Sequence, residues 1–180
     1  MHQDIASVLL TKEQIQTRIE ELGKELTRDY ADKNPIFIGV LKGVVVFYAD
    51  MIRAFDAPCQ LDFMWISSYA GTQSTGNMIV RQDVTTDLNG RHVVILEDIL
   101  DTGRSLKFTC EHLLAKGAAS VKICTLLDKP EGRLADSNIA ADYVGFTIPN
   151  AFVVGFGLDY NEHYRNLPYV GILKPEVYEK

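Results

Sequence analysis

The chain has 180 residues, 47% of them hydrophobic, with 24 acidic against 18 basic side chains and a net charge of −6. This balance suits one globular domain over residues 1–180 with a sizeable core, and it argues against general nucleic-acid affinity. Met1-His2-Gln3-Asp4 lacks the basic and apolar regions of a secretory signal, no apolar run approaches the roughly 20 residues that span a membrane, and Cys59, Cys110 and Cys124 are widely spaced in apolar settings, so free thiols in a cytoplasmic protein are expected.

The first element is marked by Thr11-Lys12-Glu13-Gln14, a capping box, with Leu10 and Ile15 placed as a hydrophobic staple. Ile15, Ile19, Leu22, Leu26 and Tyr30 follow at helical spacing and form one apolar stripe. Pro35 then opens Ile36 to Leu41, a continuous apolar run of the kind found in a sheet interior. Lys42-Gly43 ends it, and Val44 to Phe55 reads as an apolar helix. A basic residue and a glycine at the C-terminal end of a strand lie on the edge where open α/β sheets bind ligands. Taken alone, the pair would read as a solvated turn. Gln60 to Trp65 and Asn77 to Gln82 read as two more strands, and the small, polar, glycine-containing stretch between them is long for a hairpin.

Val93 to Leu96 is a buried strand that runs into two adjacent carboxylates, Glu97 and Asp98. After Ile99 and Leu100 comes Asp101-Thr102-Gly103-Arg104-Ser105, and a helical period then begins, with Leu106, Cys110, Leu113 and Leu114 on its apolar face and Gly117 at its C-terminal cap. A strand–loop–helix turn with a glycine and two hydroxyls offers backbone N–H groups and a helix N-terminus to an anion, phosphate above all. The flanking acids would repel a bare phosphate. They suit a ligand that also carries hydroxyls or brings Mg²⁺. An ordinary acidic loop capped by Asp101 would account for that residue but not for the pair beside it. Ile-Leu-Asp-Thr-Gly is also similar to an aspartic protease loop, but that chemistry needs two copies and has no use for Glu97-Asp98.

Further on, Val121 to Leu127 forms a strand ending at Asp128-Lys129-Pro130, and Asp142 to Phe146 and Phe152 to Phe156 are two more. Alone, Lys129 would be a surface lysine, Phe152 a core aromatic and His163 an exposed loop histidine without chemistry.

Together, Leu41-Lys42-Gly43, Ser68-Tyr69, Glu97-Asp98-Ile99-Leu100-Asp101-Thr102-Gly103, Leu127-Asp128-Lys129-Pro130 and Phe152-Val153-Val154-Gly155-Phe156-Gly157-Leu158-Asp159-Tyr160 resemble the motifs of the type I phosphoribosyltransferases. Within that family they are most similar to the 6-oxopurine branch, the hypoxanthine-guanine salvage enzymes. The resemblance runs from about Ile36 to Leu167. It implies an α/β fold, a mainly parallel sheet flanked by helices, with a small hood built from the chain ends over the active site.

The resemblance also implies a division of labour. Glu97 and Asp98 would bind the ribose hydroxyls of phosphoribosyl pyrophosphate. The loop of Asp101, Thr102, Gly103 and Ser105 would cradle its 5′-phosphate. Lys42, Gly43 and Arg165 would meet the pyrophosphate, with the peptide before Lys42 often cis in the family. Lys129 would donate to the purine 6-oxygen, Phe152 would stack on the base, and Val153 and Asp159 would complete the purine site. Mg²⁺ would be the cofactor, with Glu97, Asp98 and Asp159 as metal ligands. Asp101 would handle the proton on the imidazole half of the base. Ser68 and Tyr69 would begin a mobile flap over residues 68–76 that shields the reacting centre from water. The expected partners are the diphosphate substrate and a 6-oxopurine, in a homodimer or homotetramer. Two alternatives are a xanthine-preferring transferase and a transferase-like regulator binding nucleotide or RNA. The acidic balance and the intact purine residues weigh against the regulator.

Overall fold

The computed structural model describes residues 1–68, 78–135 and 137–179. Its main sheet has six strands in the order β4-β3-β2-β5-β6-β7, where β2 is Ile36–Leu41, β3 Gln60–Ser68, β4 Met78–Gln82, β5 His92–Leu100, β6 Ser120–Asp128 and β7 Tyr143–Thr147. All pairings are parallel except that of β4, which runs antiparallel along β3 at one edge. The expected architecture is therefore present. From Tyr69 onward, the expected flap lies outside the described residues.

Helices cover both faces, which explains why β2 is apolar at every position. Phe37 faces a cluster built by α1 (Lys12–Tyr30) and α2 (Val45–Ala54), together with Val94, Leu96 and Leu126. Ile36, Ile38 and Val40 face the opposite way, onto Leu106 and Leu113 of α3 (Arg104–Ala115). The Thr11 capping box forms on both sides, with the Gln14 N–H donating to Thr11 Oγ1 at 3.2 Å and the Thr11 N–H to Gln14 Oε1 at 2.8 Å. All five stripe residues of α1 are buried. In α3 the buried face is Leu106, Thr109 and Leu113, while Leu114 is half exposed. Leu114 lies one step beyond the strip that meets the sheet.

A second sheet of three strands, β1 (Ile5–Leu10), β9 (Val170–Leu173) and β8 (Val153–Val154), joins the two chain ends in the order β1-β9-β8. The run Phe152 to Phe156 yields only two strand residues. At Gly155, Phe156 and Gly157 the backbone turns to positive φ, 97°, 50° and 102°. A last turn of helix, α4 (Pro175–Tyr178), follows β9. The three cysteines are free, and Cys124 is fully buried. Among the described residues, no helix is long and apolar enough to cross a membrane.

Candidate active site

Because β2, β5 and β6 are parallel neighbours, their C-terminal ends lie side by side and open into one crevice. Lys42-Gly43 leaves β2 after a cis peptide between Leu41 and Lys42. Glu97 and Asp98 are still inside β5, which runs on to Leu100. Lys129 follows β6 directly. Three of the motifs singled out in the sequence are thus gathered by topology alone.

The turn from β5 into α3 is built for an anion. Gly103 is the N-cap, in the left-handed region at φ 82°, and makes no side-chain cap bond. Asp101 is therefore not the helix cap. The first-turn N–H groups of α3 point out of the helix with the positive end of its dipole behind them. Thr102 is exposed beside them, and its hydroxyl meets the Arg104 N–H at 3.4 Å.

The acidic pair has a different environment. Glu97 and Asp98 are both buried. Burial first, then the charge of Asp98, pushes the Glu97 carboxyl well above its ordinary range. Burial also raises Asp98, while the Ile99 N–H (2.9 Å to Asp98 Oδ1) and the field of Arg165 pull it back down. Two carboxyls held this way favour hydroxyl donors or a cation. Asp98 Oδ2 presses so closely on Gly43 that a Cβ at position 43 would collide with it. Glycine is needed there for space.

A cavity of about 170 Å³ lies beside this loop, lined by Ile99, Asp101, Lys129, Ala151, Phe152, Val153 and Leu158. Four of the seven, Asp101, Lys129, Phe152 and Val153, were expected at a purine site or in proton transfer, and the structure brings them together. Lys129 Nζ stands 3.4 Å from Asp101 Oδ2. The Phe152 ring is partly exposed, stacked on Tyr178 at 4.7 Å and edge-on to Tyr160 at 5.6 Å. Tyr178 gave no sign in the sequence, because it reaches Phe152 only once α4 folds back from the C-terminus.

The remaining expected residues form a third group. Arg165 pairs with Asp159 (2.8 Å) and Glu162 (3.3 Å) and donates to the Gly157 carbonyl at 2.9 Å. Its Nε is buried without a partner among the described residues. Glu162, which the sequence reading passed over, also pairs with Lys42 at 3.2 Å, and the Lys42 ammonium lies 5.8 Å from the Trp65 ring centroid. Asp159 is thus engaged by an arginine and does not join Glu97 and Asp98 in a cage. Among the described residues, no cluster of three or more His, Cys, Asp or Glu is placed to hold a metal. Mg²⁺ is usually held by one or two carboxylates together with substrate phosphates and water. The hard oxygens of the buried pair fit that mode.

Comparison with known proteins agrees with this geometry. The family model for the phosphoribosyl transferase domain matches residues 7–161. The hypoxanthine-guanine phosphoribosyltransferase of Streptococcus pneumoniae is 53% identical over 99% of this chain and 98% of its own length. A crystal structure of a hypoxanthine phosphoribosyltransferase from Staphylococcus aureus superposes with a TM-score of 0.95 at 50% identity, covering 100% of this chain and 97% of that one. The Trypanosoma cruzi hypoxanthine phosphoribosyltransferase, solved with its product IMP, superposes at 0.91 with 41% identity and 99% of both chains covered. With the cavity, the anion loop and the acidic pair at one sheet edge and likeness along the full chain, this protein belongs to the hypoxanthine-guanine phosphoribosyltransferase family.

Proposed function

We propose that this chain, acting as one domain, transfers the 5-phosphoribosyl group of phosphoribosyl pyrophosphate to hypoxanthine and guanine, giving IMP or GMP and pyrophosphate. The observation that carries the reading is the cavity holding Asp101, Lys129, Phe152 and Val153 directly beside the anion loop. Asp101 lines that cavity and directly precedes Thr102, Gly103 and Ser105, the loop that would hold the phosphate.

The reaction displaces pyrophosphate from the anomeric carbon by purine nitrogen 9, and positive charge develops on the ribose as the diphosphate leaves. Glu97 and Asp98 orient the sugar through its hydroxyls. Lys42, Gly43 and Arg165 receive the pyrophosphate, where fixed cations favour the departing charge. Lys129 donates to the 6-oxygen, Phe152 stacks on the base and Val153 meets it through its backbone. Asp101 takes the proton from the imidazole half of the base. The Glu97-Asp98 pair, or Asp159, would hold Mg²⁺ together with the substrate, and the metal would supply charge neutralisation on the diphosphate. Lys129 also sets base choice: an ammonium offers only donors, so it suits an oxygen at position 6 and clashes in polarity with the amino group of adenine.

We place the enzyme in the cytoplasm as a homodimer or homotetramer. Three free thiols support the compartment. Exposed Leu61, Trp65 and Ile79 on β3 and β4 support self-association. The test is pyrophosphate release from phosphoribosyl pyrophosphate and Mg²⁺ with each of hypoxanthine, guanine, xanthine and adenine. Turnover of the first two and at most a trace with adenine is expected. Preference for xanthine would replace the base assignment, and no turnover with any base would overturn the reaction.

A further inference from the structure

The segment after β6 does more than deliver Lys129. The Lys129 N–H donates to the Leu100 carbonyl at 3.0 Å and the Leu134 N–H to the Thr102 carbonyl at 3.2 Å. Between them, Arg133 Nη1 donates to the Asp101 carbonyl at 2.7 Å while its Nη2 pairs with Asp128 at the end of β6. The Arg133 and Asp128 side chains are 17% and 19% exposed, so this bridge is largely shielded from water. Gly132 lies against Asp101 itself, and a Cβ at position 132 would overlap Asp101 Oδ1. Further along, Ser137 and Ile139 pack under Gly103, where a Cβ would strike Ile139 Cγ2.

We propose that residues 129–134 form a clasp on the loop 100–102, with Arg133 and Gly132 as positioning residues that aim the Asp101 carboxylate at the base. Arg133 pins the main chain on one side of that carboxylate, and Gly132 provides the space on the other. A guanidinium suits the task because its planar fork reaches a carbonyl and a carboxylate in fixed directions, which an ammonium cannot reproduce. The clasp also ties the base-binding lysine to the anion loop, so the two halves of the substrate site keep one spacing. The proposal rests on the reaction assigned above.

Gly132→Ala is the sharpest test. Gly132 has no positive φ, so alanine brings no backbone strain. The atom it meets is the tip of a flexible, partly exposed side chain, which yields at little cost to the fold. Displacing a reacting group by about 1 Å costs roughly 10²-fold. The expected result is a kcat lower by about 10- to 100-fold, a KM for phosphoribosyl pyrophosphate within about threefold, and an unchanged melting temperature. Arg133→Ala should lower kcat and speed hydrogen exchange at the Leu134 amide, and Arg133→Lys should fall between it and the parent in both. Unchanged kcat in Gly132→Ala, or a lower kcat accompanied by a raised KM and a lower melting temperature in both single-site series, would overturn the positioning role. A parent protein inactive with every base would overturn the reaction itself, and this role with it.

Discussion

Replacing Lys129 by methionine keeps the stem and removes the ammonium. The side chain is 13% exposed and, among the described residues, its only ion pair is with Asp101, whose side chain is 42% exposed. An ion pair open to water on one side contributes no more than about 1 kcal/mol, so the melting temperature should drop by less than about 4 °C. A hydrogen bond from a charged donor to the purine 6-oxygen is worth about 1.5–3 kcal/mol. Its loss lowers kcat/KM for hypoxanthine by roughly 10- to 150-fold. Adenine makes no such bond, so its small kcat/KM should not fall, and the preference for hypoxanthine over adenine should shrink by the same factor. Steady-state rates with both bases, monitored by pyrophosphate release, give the ratio. An unchanged hypoxanthine rate, or equal losses for both bases, would refute the placement of Lys129 at the 6-position.

Asp101→Asn retains the side-chain size and removes the basic carboxylate; kcat should fall by about 10² to 10⁴ with smaller changes in KM for the diphosphate substrate, as steady-state kinetics would show. Gly43→Ala places a methyl group on Asp98 Oδ2; overpacking of this kind costs about 1–3 kcal/mol, seen as a melting temperature lower by roughly 2–12 °C or a raised KM for phosphoribosyl pyrophosphate. Burial pushes the Cys110 thiol up to about 11. Because the thiolate is the reactive form and its fraction falls as the pKa rises, only about one molecule in a thousand carries it at pH 8, so iodoacetamide should modify Cys110 slowly in the native protein, rapidly after unfolding, and faster as pH rises toward 11.

The elements that came through from sequence are those whose cause is local. Thr11 and Gln14 lie one helical turn apart, and β2 is apolar at every position because both of its faces are covered. Elements with distant causes were hidden. Ile5–Leu10 becomes a strand only because Val170–Leu173 lies alongside it. Phe156 takes a positive φ that no aromatic residue prefers. At the site, residues drawn from separate recognisable motifs meet in space: Asp101, Lys129, Phe152 and Val153 share a cavity. What stayed illegible were contacts between motifs. Glu162 bridging Lys42 and Arg165, Tyr178 behind Phe152, and Arg133 on the Asp101 carbonyl each join positions far apart in the chain or separated by a loop. The pairing of Arg165 with Asp159 is another contact of this kind.

A crystal structure with IMP bound tests the central claim most directly, since one molecule must reach both the anion loop and the base cavity. The 5′-phosphate should lie on the backbone N–H groups of residues 102–105, the ribose hydroxyls on Glu97 and Asp98, and the 6-oxygen within hydrogen-bond distance of Lys129 with the ring against Phe152. A phosphate bound elsewhere, or a base outside the cavity of Asp101 and Lys129, would contradict it.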